Sequence, residues 1–302
     1  MGLAFTPTSS ADRFTTASLS NGGPRRCDTV AVDAEATRDR VRGVLLGLAA
    51  GDRNGGPICM ALELADSLIA TGHFDRNDVL GRYFAWWRRE GFDTGPVVEG
   101  TFQLMSRGIT NADAVVECDR VLDGYTAGCN PAHRAAPLAM AGTLDDEAIV
   151  QAAIADATLS HAHPVAADSS AAATLLCRQL VRGVAWRSAL YAVAAARSAA
   201  VADALLAGLS SPPTDRGGYA PAALRAAVHF VDTSEDFHAA VSRAVTFAGP
   251  ANYCPVIVGA MAGARWGAAS IPAADLSHCK CLRRVEAAAD KLADTWRSGE
   301  AR

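Results

Sequence analysis

From Ala34 onward, apolar residues return at spacings of three and four in one segment after another. That is the period of an amphipathic helix. The first such window covers residues 38–50, where Val41, Val44, Leu45, Leu48 and Ala49 share a face. Gly51-Asp52-Arg53-Asn54-Gly55-Gly56-Pro57 interrupts it, and Pro57 suits the first turn of a second helix over 58–70. Further helices are expected over 76–89, 97–106, 112–122, 147–159 and 164–181, then over 186–207, 222–230, 234–247, 255–267 and 282–296. No run of β-branched residues alternates over a useful length, and the valines and isoleucines fall inside alanine-rich windows. Alanine is the best helix former and lets helices approach closely. The pattern therefore predicts an all-α protein, a compact multi-helix bundle.

The chain has 302 residues, half of them hydrophobic, which is enough for one large core. Residues 1–33 are rich in Ser, Thr and Gly and read as a flexible leader, without the basic and apolar regions of a secretory signal. Residues 34–302 read as a single domain, with Ser210-Ser211-Pro212-Pro213 as a surface loop inside it. Lys and Arg number 28 against 32 Asp and Glu, a balance that gives no footprint for nucleic acid or an anionic membrane. No apolar run approaches the roughly 20 residues of a membrane span. A cytoplasmic location is expected. Of the eight cysteines, only Cys279 and Cys281 are close in sequence, a poor zinc signature. The set is read as reduced, structural thiols.

Several segments in order resemble the ADP-ribosylglycohydrolase family, which includes the enzyme that reactivates dinitrogenase reductase. Arg40-Val41-Arg42-Gly43-Val44-Leu45-Leu46-Gly47-Leu48-Ala49-Ala50-Gly51-Asp52 resembles the family's opening helix and its G-D turn. Met60-Ala61-Leu62-Glu63-Leu64-Ala65-Asp66-Ser67-Leu68 is similar to the helix after the first metal motif. Phe92-Asp93-Thr94-Gly95 and Arg134-Ala135-Ala136-Pro137-Leu138-Ala139 lie near its D-x-G and M-R-x-x-P-L-A elements. Ser160-His161-Ala162-His163-Pro164 resembles the T-H-x-H/D-P segment, and 258–267 with Ile271-Pro272 resembles the last core helix and the I-P after it.

The resemblance implies an orthogonal all-α bundle whose cleft holds two Mg²⁺ ions beneath an ADP-ribosyl group. The ligands come from a T-D-D-T motif before the second core helix and a G-G-D-T-D-T motif before the last. This sequence departs at both. Gly55, Gly56, Pro57 and Ile58 occupy the first motif; Pro250 and Asn252 stand at the second pair of aspartates, with Tyr253 at the adjacent threonine. The long segment that usually separates the G-D turn from T-D-D-T is also missing. Magnesium is held mainly by carboxylate oxygens, and two dications about 4 Å apart repel by roughly 17 kcal/mol at an effective dielectric of 20. No binuclear magnesium site, and no other cofactor, is expected.

Asp93 is the best-placed surviving acid. It reads either as a proton-transfer or substrate-binding carboxylate or as the cap of a helix over 96–105. Glu99, a turn or so further on, either shares that cleft edge or is solvated. Asp52 reads as a substrate contact or as an Asx turn, and Gly55-Gly56-Pro57 as a phosphate cradle or a plain turn. His161 and His163 stand in the approach to the Pro164 helix, as ligand contacts or helix-start structure. His133 faces the cleft or the surface. Arg134 binds phosphate or carboxylate, or makes a structural ion pair. Asn252 and Tyr253 are candidate contacts to a sugar or heterocycle. Cys254 is a nucleophile only if its thiolate is stabilised, and otherwise packs.

The reading that follows is a metal-independent enzyme cleaving a glycosidic bond of an ADP-ribose, NAD-derived or nucleoside-like small molecule. The alternatives are an inactive ADP-ribose- or protein-binding relative, and a scaffold recruited to unrelated small-molecule chemistry. The fold alone does not choose among them.

Overall fold

The computed structural model describes residues 34–296; the expected leader lies outside them. Fifteen α-helices follow one another: α1 (Ala34–Gly51), α2 (Gly56–Thr71), α3 (Arg76–Arg89), α4 (Gly95–Ser106), α5 (Asn111–Val121), α6 (Asn130–Arg134), α7 (Ala136–Met140) and α8 (Asp146–Ala157) come first. Then come α9 (Pro164–Val181), α10 (Trp186–Ala194), α11 (Ala199–Ser210), α12 (Ala220–Asp232), α13 (Phe237–Ala248), α14 (Tyr253–Trp266) and α15 (Leu282–Ala293). The described residues contain no strand, only an isolated bridge between Gly128 and Tyr219. The fold is all-α.

The helix starts show why the sequence folds this way. Asp75, Thr110, Asp145 and Asp236 each accept a backbone N–H of the first turn that follows, at α3, α5, α8 and α13. Proline opens α2, α4, α6, α7, α9 and α12, where its missing N–H has no partner to lose.

Two differences from the expected elements have visible causes. The helix expected over 186–207 is two helices, because Asp168 on α9 accepts both the backbone N–H and the hydroxyl of Ser198, at 2.8 and 2.6 Å, and turns the chain there. The five-residue helices α6 and α7 are too short to show a period.

At the centre, α1 lies directly against α14. Gly43 and Gly47 of α1 face Gly263 and Gly259 of α14, and Gly51 faces Pro255. A Cβ on any of the five glycines would overlap the facing carbonyl. These spacings of four are a pair of small-residue stripes that let two backbones touch. From Cys254 to Ala264 every residue of α14 is buried. This contact brings the C-terminus of α1 and the N-terminus of α14 to the same end of the bundle. The starts of α2 and α4 meet them there.

Candidate functional site

The turn Asp52–Gly55 between α1 and α2 is organised by one side chain. Asp52 is 2% exposed. Its Oδ1 accepts from the N–H of Asn54 (3.2 Å), the N–H of Gly55 (2.8 Å) and Nδ2 of Asn252 (2.6 Å). Its Oδ2 accepts from the N–H of Ile58 at 2.7 Å, inside the first turn of α2. Asp52 therefore makes the Asx turn and caps the helix at once. Of the Gly55-Gly56-Pro57 turn read as a phosphate cradle, the Gly55 amide already serves this carboxylate and Pro57 has no N–H, and the next amide, of Ile58, serves it too.

The glycines have geometric reasons. Gly55 has φ +98°, and a Cβ on Gly56 would press on the Phe92–Asp93 backbone and the Asp93 side chain.

That close approach delivers Asp93 to the turn. It does not cap α4: the residue before that helix is Thr94, and Asp93 itself has φ +51°, the left-handed region that a non-glycine residue occupies at a cost. Its Oδ1 accepts from Nδ2 of Asn54 at 3.3 Å. Partial burial raises its pKa above the usual carboxylate value, with the Asp52 charge adding to the rise and hydrogen bonds from Asn54 and Asn252 opposing it.

Asn252 closes the far side. Its Nδ2 donates to Asp52, its Oδ1 accepts the N–H of Arg53 at 3.3 Å, and Arg53 Nη2 donates to the carbonyls of Gly249 and Ala251 at 2.6 and 2.8 Å. The segment that stands at the old second motif is thus sewn to the turn at the first. Tyr253 follows, the residue 37% exposed and its ring against Gly218.

His133, buried on α6, donates Nε2–H to the Tyr253 carbonyl at 2.7 Å and leaves Nδ1 without a partner. Desolvation lowers its pKa to about 4, so the ring is neutral. His161 is buried too. Its Nδ1 pairs with Ser160 Oγ at 2.9 Å, and its unpartnered Nε2 faces Gly128. Burial, then the Arg134 charge, lower its pKa well below the ordinary value.

The remaining candidates stand apart. Arg134 is 1% exposed and turned into the core. It donates Nε to Asp156 Oδ2 (2.8 Å), Nη2 to the Asp156 carbonyl (2.7 Å) and Nη1 to Ser160 Oγ (3.1 Å), while the Tyr83 hydroxyl donates to Asp156 Oδ1 at 2.9 Å. All three guanidinium nitrogens are engaged within the protein. His163 is the cap of α9, its Nδ1 accepting the N–H of Val165 at 3.2 Å. Glu99 accepts from Trp87 Nε1 (2.8 Å), Thr94 Oγ1 (3.1 Å) and Gln103 Nε2 (2.8 Å). Burial pushes its carboxyl up, but these three donors outweigh it and hold the pKa low. Cys254 is buried, and desolvation pushes its thiol up to about 12, which removes the thiolate.

The structure also brings in residues that no sequence pattern marked. Asn54 links Asp93 to the turn. Asn130 Nδ2 donates to the Thr94 carbonyl at 3.1 Å, and its Oδ1 borders Gly128 beside His161. His278 Nε2 donates to the Asp52 carbonyl at 3.1 Å from 226 residues away. An isolated Asn or His carries no periodic signal, so only the fold could reveal them.

The donor set does not fit a pair of magnesium ions. Gly55, Gly56, Pro57 and Ile58 offer no side-chain oxygen, both Asp52 oxygens are occupied by N–H donors, and Asn252 turns its oxygen to Arg53. Among the described residues no group of three or more His, Cys, Asp or Glu is arranged to hold a metal ion.

A solved structure described as an ADP-ribosylglycohydrolase-related protein complex resembles this one with a TM-score of 0.73. It is 25% identical and is covered completely by 87% of this chain. No curated protein matches. The family model for ADP-ribosylglycohydrolase matches residues 58–301, most of the chain. With the same helical fold and the G-D turn, α2 and α14 meeting at one end of it, the chain belongs to the ADP-ribosylglycohydrolase family.

Proposed function

We propose that this family member works without a metal pair, as an enzyme that cleaves a glycosidic bond of an ADP-ribose, NAD-derived or nucleoside-like small molecule, with Asp93 as its proton-transferring group. The single supporting observation is the state of Asp93. It is the acid at the turn that keeps access to solvent, its carboxyl part-buried on a left-handed backbone with a raised pKa. A carboxyl so placed donates a proton to a leaving group when protonated, and accepts one from an attacking water when ionised. Asn54 orients it. Asn252 and Asp52 keep the turn rigid, and the exposed Tyr253 ring offers a stacking surface for a heterocycle.

The binding-only alternative also has an observation behind it: Asp52 is fully occupied, so a second free carboxylate of the kind glycosidases pair with the first is not supplied by this turn.

The test is turnover of ADP-ribose, ADP-ribosylated small molecules, NAD and nucleosides, followed by mass spectrometry with and without EDTA. Product formed equally with chelator, and lost in Asp93→Asn while the circular dichroism is unchanged, supports the proposal. Saturable binding without product selects the binding-only reading. Turnover abolished by EDTA refutes metal independence. Neither binding nor turnover points to recruitment for other chemistry.

A further inference from the structure

A groove of about 550 Å³ is lined by residues of α12, α13 and the loop after α11, and it shares none of them with the turn at Asp52 or with Asp93. That size suits a small molecule. Its apolar wall is made by Pro212 and Pro213 of the loop, Phe230 of α12 and Phe247 of α13, with the two phenyl rings 5.4 Å apart. A guanidinium lies over each ring. Arg216 stands 5.3 Å from the centre of Phe247, and Arg243 stands 5.6 Å from the centre of Phe230.

Acids outnumber bases in the chain, 32 to 28, yet no Asp or Glu lines this groove. Carboxylates close by in sequence are engaged elsewhere. Asp215 accepts the N–H of Gly217 at 2.7 Å, and Asp236 caps α13. Asp232 pairs with Arg187 at 3.0 Å, and Asp275 with His238 at 2.8 Å. Arg216 makes no hydrogen bond or ion pair among the described residues. Arg243 Nη1 donates to the Thr233 carbonyl (2.7 Å) and Ser234 Oγ (2.8 Å), neutral acceptors that fix the side chain without cancelling its charge. An arginine that serves solubility alone extends into water. Here both heads lie on rings in the wall of one groove, and two uncompensated positive charges face its interior.

We infer that this groove binds a small phosphate monoester with an aromatic body, the phosphate held by Arg216 and Arg243 and the body lying along Phe230, Phe247 and the two prolines. The charge count selects phosphate. A monoester carries about two negative charges at neutral pH and three acceptor oxygens, which match two guanidinium forks. A single carboxylate leaves one of the two cations unmatched. The rings and prolines select the body, since inorganic phosphate gains nothing from an apolar wall.

The test is independent of any reaction at Asp93. Phenyl phosphate is titrated into the full-length protein by isothermal titration calorimetry, with phenol, benzoate and inorganic phosphate as separate arms. Phenyl phosphate should bind saturably with a Kd of about 1 mM or tighter, and each of the other three about tenfold more weakly or worse. Arg216→Gln removes a side chain with no hydrogen bond to lose, so circular dichroism should be unchanged while affinity falls about tenfold or more. Arg243→Gln should weaken binding as much, and Asp93→Asn should bind as the wild type does. Raising sodium chloride from about 50 mM to about 300 mM should also weaken it. Equal binding of phenol would reveal an apolar groove only, and equal binding of benzoate a general anion site; either overturns the inference. So does the lack of saturable binding, or an affinity unchanged in Arg216→Gln, which would place the phenyl phosphate elsewhere on the protein. The Arg216 variant alone decides the matter if Arg243→Gln fails to fold.

Discussion

Replacing Asp52 by Asn changes one atom and tests how the turn is built. In the wild type four N–H donors converge on two carboxylate oxygens, three on Oδ1 and one on Oδ2. The amide keeps one oxygen, which suits Oδ1, and places an NH₂ against the Ile58 N–H, 2.7 Å from the atom it replaces. Losing a charge-assisted hydrogen bond and orphaning a buried N–H costs about 2 kcal/mol. The three remaining bonds change from charged to neutral acceptors, roughly halving each, for about 1–2 kcal/mol more. Asp52→Asn should therefore lose about 3–4 kcal/mol, a large share of the 5–15 kcal/mol typical of folded chains. The assay is urea unfolding followed by far-ultraviolet circular dichroism, with Asn252→Ala and the double variant completing a cycle. The Asp52–Asn252 bond of 2.6 Å should give a coupling of about 1–2 kcal/mol. The reasoning fails if Asp52→Asn is neutral within about 0.5 kcal/mol or stabilises the protein. A stabilising result would mean a buried charge lacking partners, which is how a ligand-binding carboxylate behaves.

Other regions give sharper contrasts. Gly47→Ala places a Cβ onto the Gly259 carbonyl and should cost about 2 kcal/mol or more, whereas Gly81→Ala, in α3 with open space around it, should gain about 0.5–1 kcal/mol on the same unfolding assay. Arg134→Met strands the Asp156 carboxylate in the core and should cost about 3–5 kcal/mol. His133 and His161 stay neutral in the fold, while in the unfolded chain they take up protons below their ordinary value of 6.5. The unfolded state then binds more protons, so stability falls as pH drops from 6.5 towards 4, by about 1.4 kcal/mol per pH unit for each ring. In His133→Gln, whose amide can still donate to the Tyr253 carbonyl, that slope should fall by one proton's worth, measured as unfolding free energy at a series of pH values.

The parts of this fold that sequence reading recovers are those governed by local rules, and the parts it misses are governed by distant partners. Pro164 fixes the start of α9 because a proline ring suits a first helical turn wherever the helix later packs. The break at Ser198 is invisible locally, since it depends on Asp168 of another helix. The site divides in the same way. Asp52 reads as an Asx turn from the glycines that follow it, and it is one, but its short bond to Asn252 joins residues 200 positions apart. Asp93 reads locally as a cap because it precedes Thr-Gly-Pro. What overrides that is the close approach of the Phe92–Asp93 backbone to Gly56, where any Cβ would overlap it, with Asp93 in the left-handed region and its carboxylate turned to Asn54. A glycine where T-D-D-T has its first aspartate is thus more than a lost carboxylate. It is the space into which the Asp93 loop moves, so replacing Gly56 by Asp to rebuild the family motif should displace Asp93 and break the Asn54 contact rather than restore a metal ligand. A crystal structure of Gly56→Asp grown with magnesium, showing the Asp93 loop unmoved and an ion bound, would refute that coupling.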